Sequence, residues 1–197
     1  MMRYLLYLCL IVAPAAAQGQ LVFEGCQDLA GRPVASIQSV GINDIAVATM
    51  QGGAPVIFYN PMVLQTVHPV VRRYFYAHEC AHHRLGHLVA GLNNVQSEQQ
   101  ADCWAAHAIR ASGATDADMG IIAETIARMA RGDWTHLPGP MRAINLRACL
   151  AVPPPTAPPM AFACCDGYGM RRCPLNAPSL AGSPCMCPGQ GIGRACP

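Results

Sequence analysis

The sequence predicts an α+β domain followed by a short disulfide-rich tail. Of its 197 residues, 52% are hydrophobic and 12% are charged, which is enough apolar material to bury a core. A strand pair precedes several helical segments, and six of the eleven cysteines fall after residue 160. The net charge of +2 comes with scattered arginines and no basic stripe, so nucleic acid is not expected as a partner.

The first residues are typical of a secretory signal. Arg3 precedes an apolar stretch at 4–12, and alanines at 15 and 17 then form a small-residue cleavage site. The apolar stretch is too short to span a bilayer comfortably, and an uncleaved anchor is the alternative. We therefore expect cleavage after Ala17, a secreted or periplasmic protein, and no integral membrane segment after the signal is removed.

Loss of Cys9 with the signal would leave ten cysteines. An exported chain enters an oxidising compartment, where an even number of cysteines is typical of disulfides. Cys80 lies within the His78–His82 motif described below and Cys103 directly follows Asp102. The two are interpreted either as a bridge or as two buried thiols. A bridge between Cys26 and Cys149 would close a long loop. The six cysteines of the tail would then pair with one another.

A proline-rich segment at 151–160 is typical of an extended linker. It divides a domain at 18–150 from a tail at 161–197. The tail has few residues that could build a core, so we expect it to depend on disulfides for its fold.

The strands and helices follow from local patterns. Residues 45–50 and 56–59 flank a glycine turn and predict a β-hairpin, and Pro55 with Pro61 favours an edge position for its second strand. Pro69 begins a helix that continues through Leu85 and stops at Gly91. Further helices are predicted by periodicity and capping signals, at 95–111, from 115 or 116 to 129, and at 140–150.

His78, Glu79 and His82 form an H-E-x-x-H motif inside the helix that begins at Pro69. The spacing of one turn places both imidazoles on the same face, where they can bind one ion. Zinc accepts imidazole and carboxylate ligands, and its catalytic sites leave a fourth position for water. Glu79 adjoins the first ligand, and we expect it to be the general base that activates this water.

Glu98 and Asp102 lie one turn apart on the next helix and complete the predicted site. Glu98 is the expected third ligand. Asp102 is expected to hold the second nitrogen of a ligating imidazole, because metal-bound histidines usually need such a partner. The sequence thus predicts one zinc ion per chain. The alternative is a polar patch on two exposed helices.

An H-E-x-x-H helix followed by a Glu and an Asp four residues apart resembles the gluzincin clan of zinc metallopeptidases. The run 77–83 with Glu98 and Asp102 looks like the heat-shock membrane protease and CAAX prenyl endopeptidase family, as a small soluble exported member. The resemblance covers 45–146 and implies a minimal zincin-like peptidase domain, with an active-site helix pair and a small hairpin sheet. The competing metzincin pattern fails because Leu85 and Leu88 replace its glycine and third histidine.

The segment 135–146 looks like the His-Pro and Arg segment of that family, although Leu137 separates His136 from Pro138. The resemblance implies that His136 and Arg142 are catalytic groups that stabilise developing negative charge. Tyr59 is a further candidate, and a loop histidine with a surface arginine is the alternative. Helical position marks three other histidines as packing or surface residues rather than ligands: His83, His87 and His107.

The predicted function is zinc-dependent endopeptidase activity on exported or unfolded polypeptides. The free edge of the second hairpin strand, 56–59, would hold the substrate by strand addition. One alternative is a periplasmic zinc-containing chaperone or assembly factor that binds client proteins without cleavage. Another is a structural metalloprotein, which would require a fourth protein ligand.

Overall fold

The structure is a computed structural model that describes residues 24–92, 94–129, 137–157 and 159–197. The predicted signal peptide with its cleavage site at Ala17 lies outside the described residues, and so does His136.

The α+β class is confirmed. In the described part of the chain, a three-stranded sheet and five helices precede a four-stranded sheet. The elements are β1 Ala35–Gln38, β2 Ala46–Gln51, β3 Ala54–Tyr59, α1 Pro61–Thr66, α2 Pro69–Arg84, α3 Val95–Ala111, α4 Asp116–Ala127, α5 Gly139–Cys149, β4 Met160–Cys165, β5 Arg171–Leu180, β6 Pro184–Cys187 and β7 Gly191–Cys196.

The first sheet has the strand order β1-β3-β2. Strands β2 and β3 form the predicted antiparallel hairpin, and β1 pairs in parallel with the other side of β3. The prediction that the second hairpin strand lies at an edge is therefore wrong: β3 is central, and β1 and β2 are the edge strands. Pro55 is tolerated in β3 because the pairing with β1 begins only at Val56, so its missing N–H leaves no gap in that ladder.

The helices bury one continuous core. Apolar side chains from α2, α3, α4 and α5 pack together there, including Tyr74, Ile109, Ile122 and Leu146. A smaller cluster joins Ala81 of α2 and Leu85, the residue that follows this helix, to Ala101 of α3. Because two alanines meet at this contact, the backbones of α2 and α3 can approach closely, and this brings the motif residues of both helices together.

Helix α3 is confirmed at Val95–Ala111, and it begins with a capping box between Asn94 and Ser97.

Helix α2 ends earlier than predicted, at Arg84 rather than near Gly91. The cause is Gly86, whose φ of 73° lies in the left-handed region and terminates the helix. A Cβ at Gly86 would also lie 2.7 Å from a methyl carbon of Leu29 and 2.9 Å from one of Leu180. Leu180 therefore brings the tail sheet against the end of α2.

Disulfide bonding is confirmed for all ten described cysteines, but both suggested pairings in the first domain are wrong. Cys26 pairs with Cys80, and Cys103 pairs with Cys149. Cys80 packs in a cluster with residues of the sheet, so its side chain is directed to the sheet rather than to α3. The six tail cysteines pair with one another as predicted, as Cys164–Cys185, Cys165–Cys196 and Cys173–Cys187.

The tail sheet has the strand order β5-β4-β7-β6, with every neighbouring pair antiparallel. The boundaries at 150 and 160 stay predictions. Within the described residues, no helix has both the length and the apolar character needed to cross a membrane.

Peptide mapping without reduction tests the two disulfides of the first domain. We expect peptides joined through Cys26–Cys80 and Cys103–Cys149, whereas a peptide joining Cys80 to Cys103 would contradict the fold.

Replacing Cys26 and Cys80 together by serine should lower the free energy of unfolding by about 2–4 kcal/mol, because the unfolded chain loses a constraint. Denaturant unfolding of the purified double variant measures this loss.

Candidate metal centre

Three buried side chains converge between α2 and α3. The Nε2 atoms of His78 and His82 lie 3.3 Å apart. One carboxylate oxygen of Glu98 lies 3.1 Å from His78 Nε2, and the other lies 3.4 Å from His82 Nε2. The three side chains offer ligand atoms within 4.8 Å of one another, so this group could hold a metal ion. The predicted ligands are thus brought together.

The charges and donor atoms of the group fit a cation. Burial lowers the pKa of His78, but the neighbouring carboxylates of Asp102 and Glu98 outweigh burial and raise it to about 10. The surroundings of His78 therefore stabilise positive charge. Two imidazole nitrogens with a carboxylate oxygen form a donor set that suits divalent transition metals.

Asp102 lies behind His78, as predicted. Its Oδ1 is 2.9 Å from His78 Nδ1, although the ring N–H is not aligned for a hydrogen bond. Tyr74 donates its hydroxyl hydrogen to the same oxygen at 2.7 Å. Burial raises the pKa of Asp102, but Arg142 and His78 hold it well below the usual range. His78 therefore faces an ionised carboxylate.

Arg142 makes a two-point contact with Asp102. Its Nε donates to Oδ2 at 2.8 Å and its Nη2 donates to Oδ1 at 2.6 Å. Arg142 is 9% exposed, so it is not the surface arginine of the alternative interpretation. These contacts make Arg142 a support for Asp102, and direct contact with a substrate stays a prediction.

Glu79 connects α2 to the edge strand. Its Oε2 accepts a hydrogen bond from the backbone N–H of Ala48 at 2.6 Å. Burial raises the pKa of Glu79, whereas positive charge on His78 and His82 lowers it. The predicted general base is therefore held beside the ligand group, within electrostatic reach of both imidazoles.

His87 and Gln100 are parts of the site that the sequence analysis missed. His87 is 1% exposed. Its Nδ1 lies 3.2 Å from His82 Nδ1, and its Nε2 lies 3.0 Å from Gln100 Oε1. Burial lowers the pKa of His87 to about 4. The prediction assumed a helix continuing past residue 87, but α2 ends before Gly86. That glycine, four residues after His82, was the signal for this turn.

The remaining candidates lie elsewhere in the fold. His83 donates to the carbonyl oxygen of Val56 at 3.0 Å and joins α2 to β3. His107 donates to the carbonyl oxygen of Cys149 at 3.0 Å. Neither belongs to the ligand group, as predicted. Tyr59, at the end of β3, packs against both large apolar clusters, and its role as a donor stays a prediction.

Comparisons of the chain with protein-family models, with curated proteins and with solved structures found no match. The gluzincin resemblance therefore stays a prediction from the motif residues.

Metal analysis of purified variants tests the ligand group. We expect about one zinc ion per chain in the natural protein and a loss of this zinc in Glu98→Ala, because three protein ligands are the minimum of a catalytic zinc site. Asp102→Ala should weaken zinc affinity roughly 10- to 100-fold. Glu124→Ala, which removes an exposed carboxylate on α4, is the matched control. Full zinc retention by Glu98→Ala would remove Glu98 from the site.

Proposed function

We propose that this protein is a zinc-dependent endopeptidase of the gluzincin type that cleaves exposed polypeptides outside the cytoplasm. One observation carries the proposal: the Glu79 carboxylate lies beside the His78, His82 and Glu98 group and bonds to an edge strand at Ala48. A base beside a metal-binding group is the arrangement that can activate water for peptide hydrolysis, and the adjoining edge strand could bind an extended substrate.

The residues divide the chemistry among themselves. His78, His82 and Glu98 would hold the zinc ion. Bound zinc would act as a Lewis acid and bring the pKa of a water molecule towards neutrality. Glu79 then accepts the proton from the attacking water and passes it to the leaving amine. Its raised pKa suits both steps, because a group that titrates nearer to neutral pH can accept and return a proton.

The edge strand β2 supports a peptide as the substrate. The N–H of Ala48 donates to Glu79 rather than to β3, so the backbone groups of Ala48 point away from the hairpin partner. Because the direction of the backbone N–H and C=O groups alternates along an antiparallel strand, those of Ala46 and Met50 point the same way as those of Ala48. An extended substrate could add to this edge through main-chain hydrogen bonds. The substrate edge is therefore β2 and not the predicted β3, which is central in the sheet.

Asp102, Arg142 and Tyr74 support the proposed catalytic arrangement. Arg142 and Tyr74 together give Asp102 three hydrogen bonds, which fix its carboxylate opposite His78 Nδ1. When a metal is bound, a fixed carboxylate at this position would favour the proton of His78 on Nδ1 and leave Nε2 as the metal ligand. We assign Arg142 to positioning and not to contact with the substrate.

The disulfides support a location outside the cytoplasm. Five pairs among the described residues fit an oxidising compartment. Secretion or export to a periplasm accords with the signal predicted for the first 17 residues.

Glu79→Gln tests the peptidase proposal. Glutamine keeps the size of the side chain and a carbonyl oxygen for the Ala48 N–H, but it cannot accept the proton. We expect zinc content and fold to survive while cleavage of unfolded casein falls at least about 100-fold, within the usual contribution of a general base. Cleavage by the natural protein should also be lost with a chelator. Glu124→Gln, on an exposed helix surface, should cleave like the natural protein.

Two outcomes would contradict the proposal. Equal cleavage by the natural protein and Glu79→Gln would show that Glu79 is not the base. If neither protein cleaves casein but both prevent aggregation of a denatured client, the chaperone alternative replaces the peptidase.

A further inference from the structure

The turn that ends α2 places a second imidazole against a ligand. The N–H of Gly86 donates to the carbonyl oxygen of His83 at 3.2 Å, and the N–H of His87 donates to that of His82 at 3.0 Å. With Gly86 in the left-handed region, these bonds form a Schellman motif, in which the residue after the glycine folds back over the last turn. That residue is His87, and the turn beneath it carries His82.

The hydrogen bonds of His87 have a defined direction. Gln100 presents its Oε1, an atom that only accepts, 3.0 Å from His87 Nε2. Nε2 therefore carries the proton of the neutral ring, and Nδ1 is left as the acceptor. Because His87 Nδ1 lies 3.2 Å from His82 Nδ1, His82 must donate from Nδ1. The Nε2 lone pair of His82 is then free to face His78 and Glu98.

We propose that Gln100 and His87 are positioning residues that fix the proton of His82 on Nδ1 and thereby present its Nε2 as a metal ligand. The inference rests on the proposed zinc site but not on peptide hydrolysis. It gives His82 a support that corresponds to Asp102 beside His78, since each of these imidazoles has an acceptor next to its second nitrogen, at 3.2 Å for His82 and 2.9 Å for His78.

The two supports differ in charge for a physical reason. Glu98 and Asp102, both less than 7% exposed, and Glu79 already place three carboxylates around the ligand group. A further carboxylate in direct contact with His82 would add repulsion between buried like charges. A neutral imidazole with an amide can set the direction of the same hydrogen bond without adding charge.

The direction of the bonds makes the proposal testable at Gln100. If the Gln100 amide turned to present its NH₂ group, the direction of both hydrogen bonds would reverse. His87 would then donate to His82, and the His82 proton would move to Nε2, where it would block metal binding. Glutamate at position 100 can only accept, so Gln100→Glu keeps the proposed direction. Gln100→Leu removes the acceptor. Gln100 is half-buried, so both variants should fold.

Zinc affinity and the His82 tautomer are the two measurements. Competition with a chromophoric chelator should show zinc binding weakened roughly 10- to 100-fold in Gln100→Leu and weakened less in Gln100→Glu, which keeps an acceptor for His87 Nε2 at a half-buried position. Nitrogen-15 NMR of the metal-free protein, labelled at histidine, should show the His82 proton on Nδ1 in the natural protein and in Gln100→Glu, and a mixture of tautomers in Gln100→Leu. Gln96→Leu, at an exposed position of α3, is the control and should change neither.

Unchanged zinc affinity in Gln100→Leu, equal losses in both variants, or a natural protein with the His82 proton on Nε2 would each overturn the proposal. Neither measurement depends on cleavage. If Glu79→Gln cleaves like the natural protein while Gln100→Leu loses zinc affinity, the peptidase proposal fails and this inference stands.

Discussion

The close approach of α2 and α3 is the constraint on which the rest of the site depends. Ala81 and Ala101 are fully buried and belong to one cluster, so no larger side chain holds the two helices apart. Each alanine lies between the polar residues of its own helix, with His78 and His82 flanking the first and Glu98 and Asp102 flanking the second. A larger residue at either alanine would separate the ligands without changing any of them.

This packing buries charged side chains, and hydrogen-bonding or oppositely charged partners offset the cost of removing them from water. Asp102 and Arg142 form a two-point ion pair in the interior. Such a pair adds little net stability, because desolvation offsets much of the attraction, but leaving either partner alone is costly. Its contribution here is geometric: it fixes the carboxylate that faces His78. The imidazole of His87 has the corresponding position behind His82, and burial lowers its pKa and so favours the neutral ring.

The sequence predicted the parts of this site that follow from spacing along one helix. Pairs one turn apart identified the three candidate ligands and Asp102, which the structure brings together, and capping signals gave α3 its bounds. Residue spacing and capping signals could not predict the contacts that depend on where a helix ends or on which strands pair. His87 was misplaced because the end of α2 at Gly86 went unrecognised, and β3 was placed at an edge because β1 was not predicted. Disulfide pairing failed because it depends on the direction of each side chain after packing.

The central claim is that His78, His82 and Glu98 bind one zinc ion with nitrogen and oxygen atoms. X-ray absorption spectroscopy of the zinc-loaded protein tests it most directly. We expect two imidazole nitrogens at about 2.0–2.1 Å, oxygen ligands at about 2.0–2.2 Å, and no sulfur, which would lie at about 2.3 Å. A sulfur shell would show that cysteines bind the zinc in place of these side chains. A first shell without imidazole scattering would equally contradict the account.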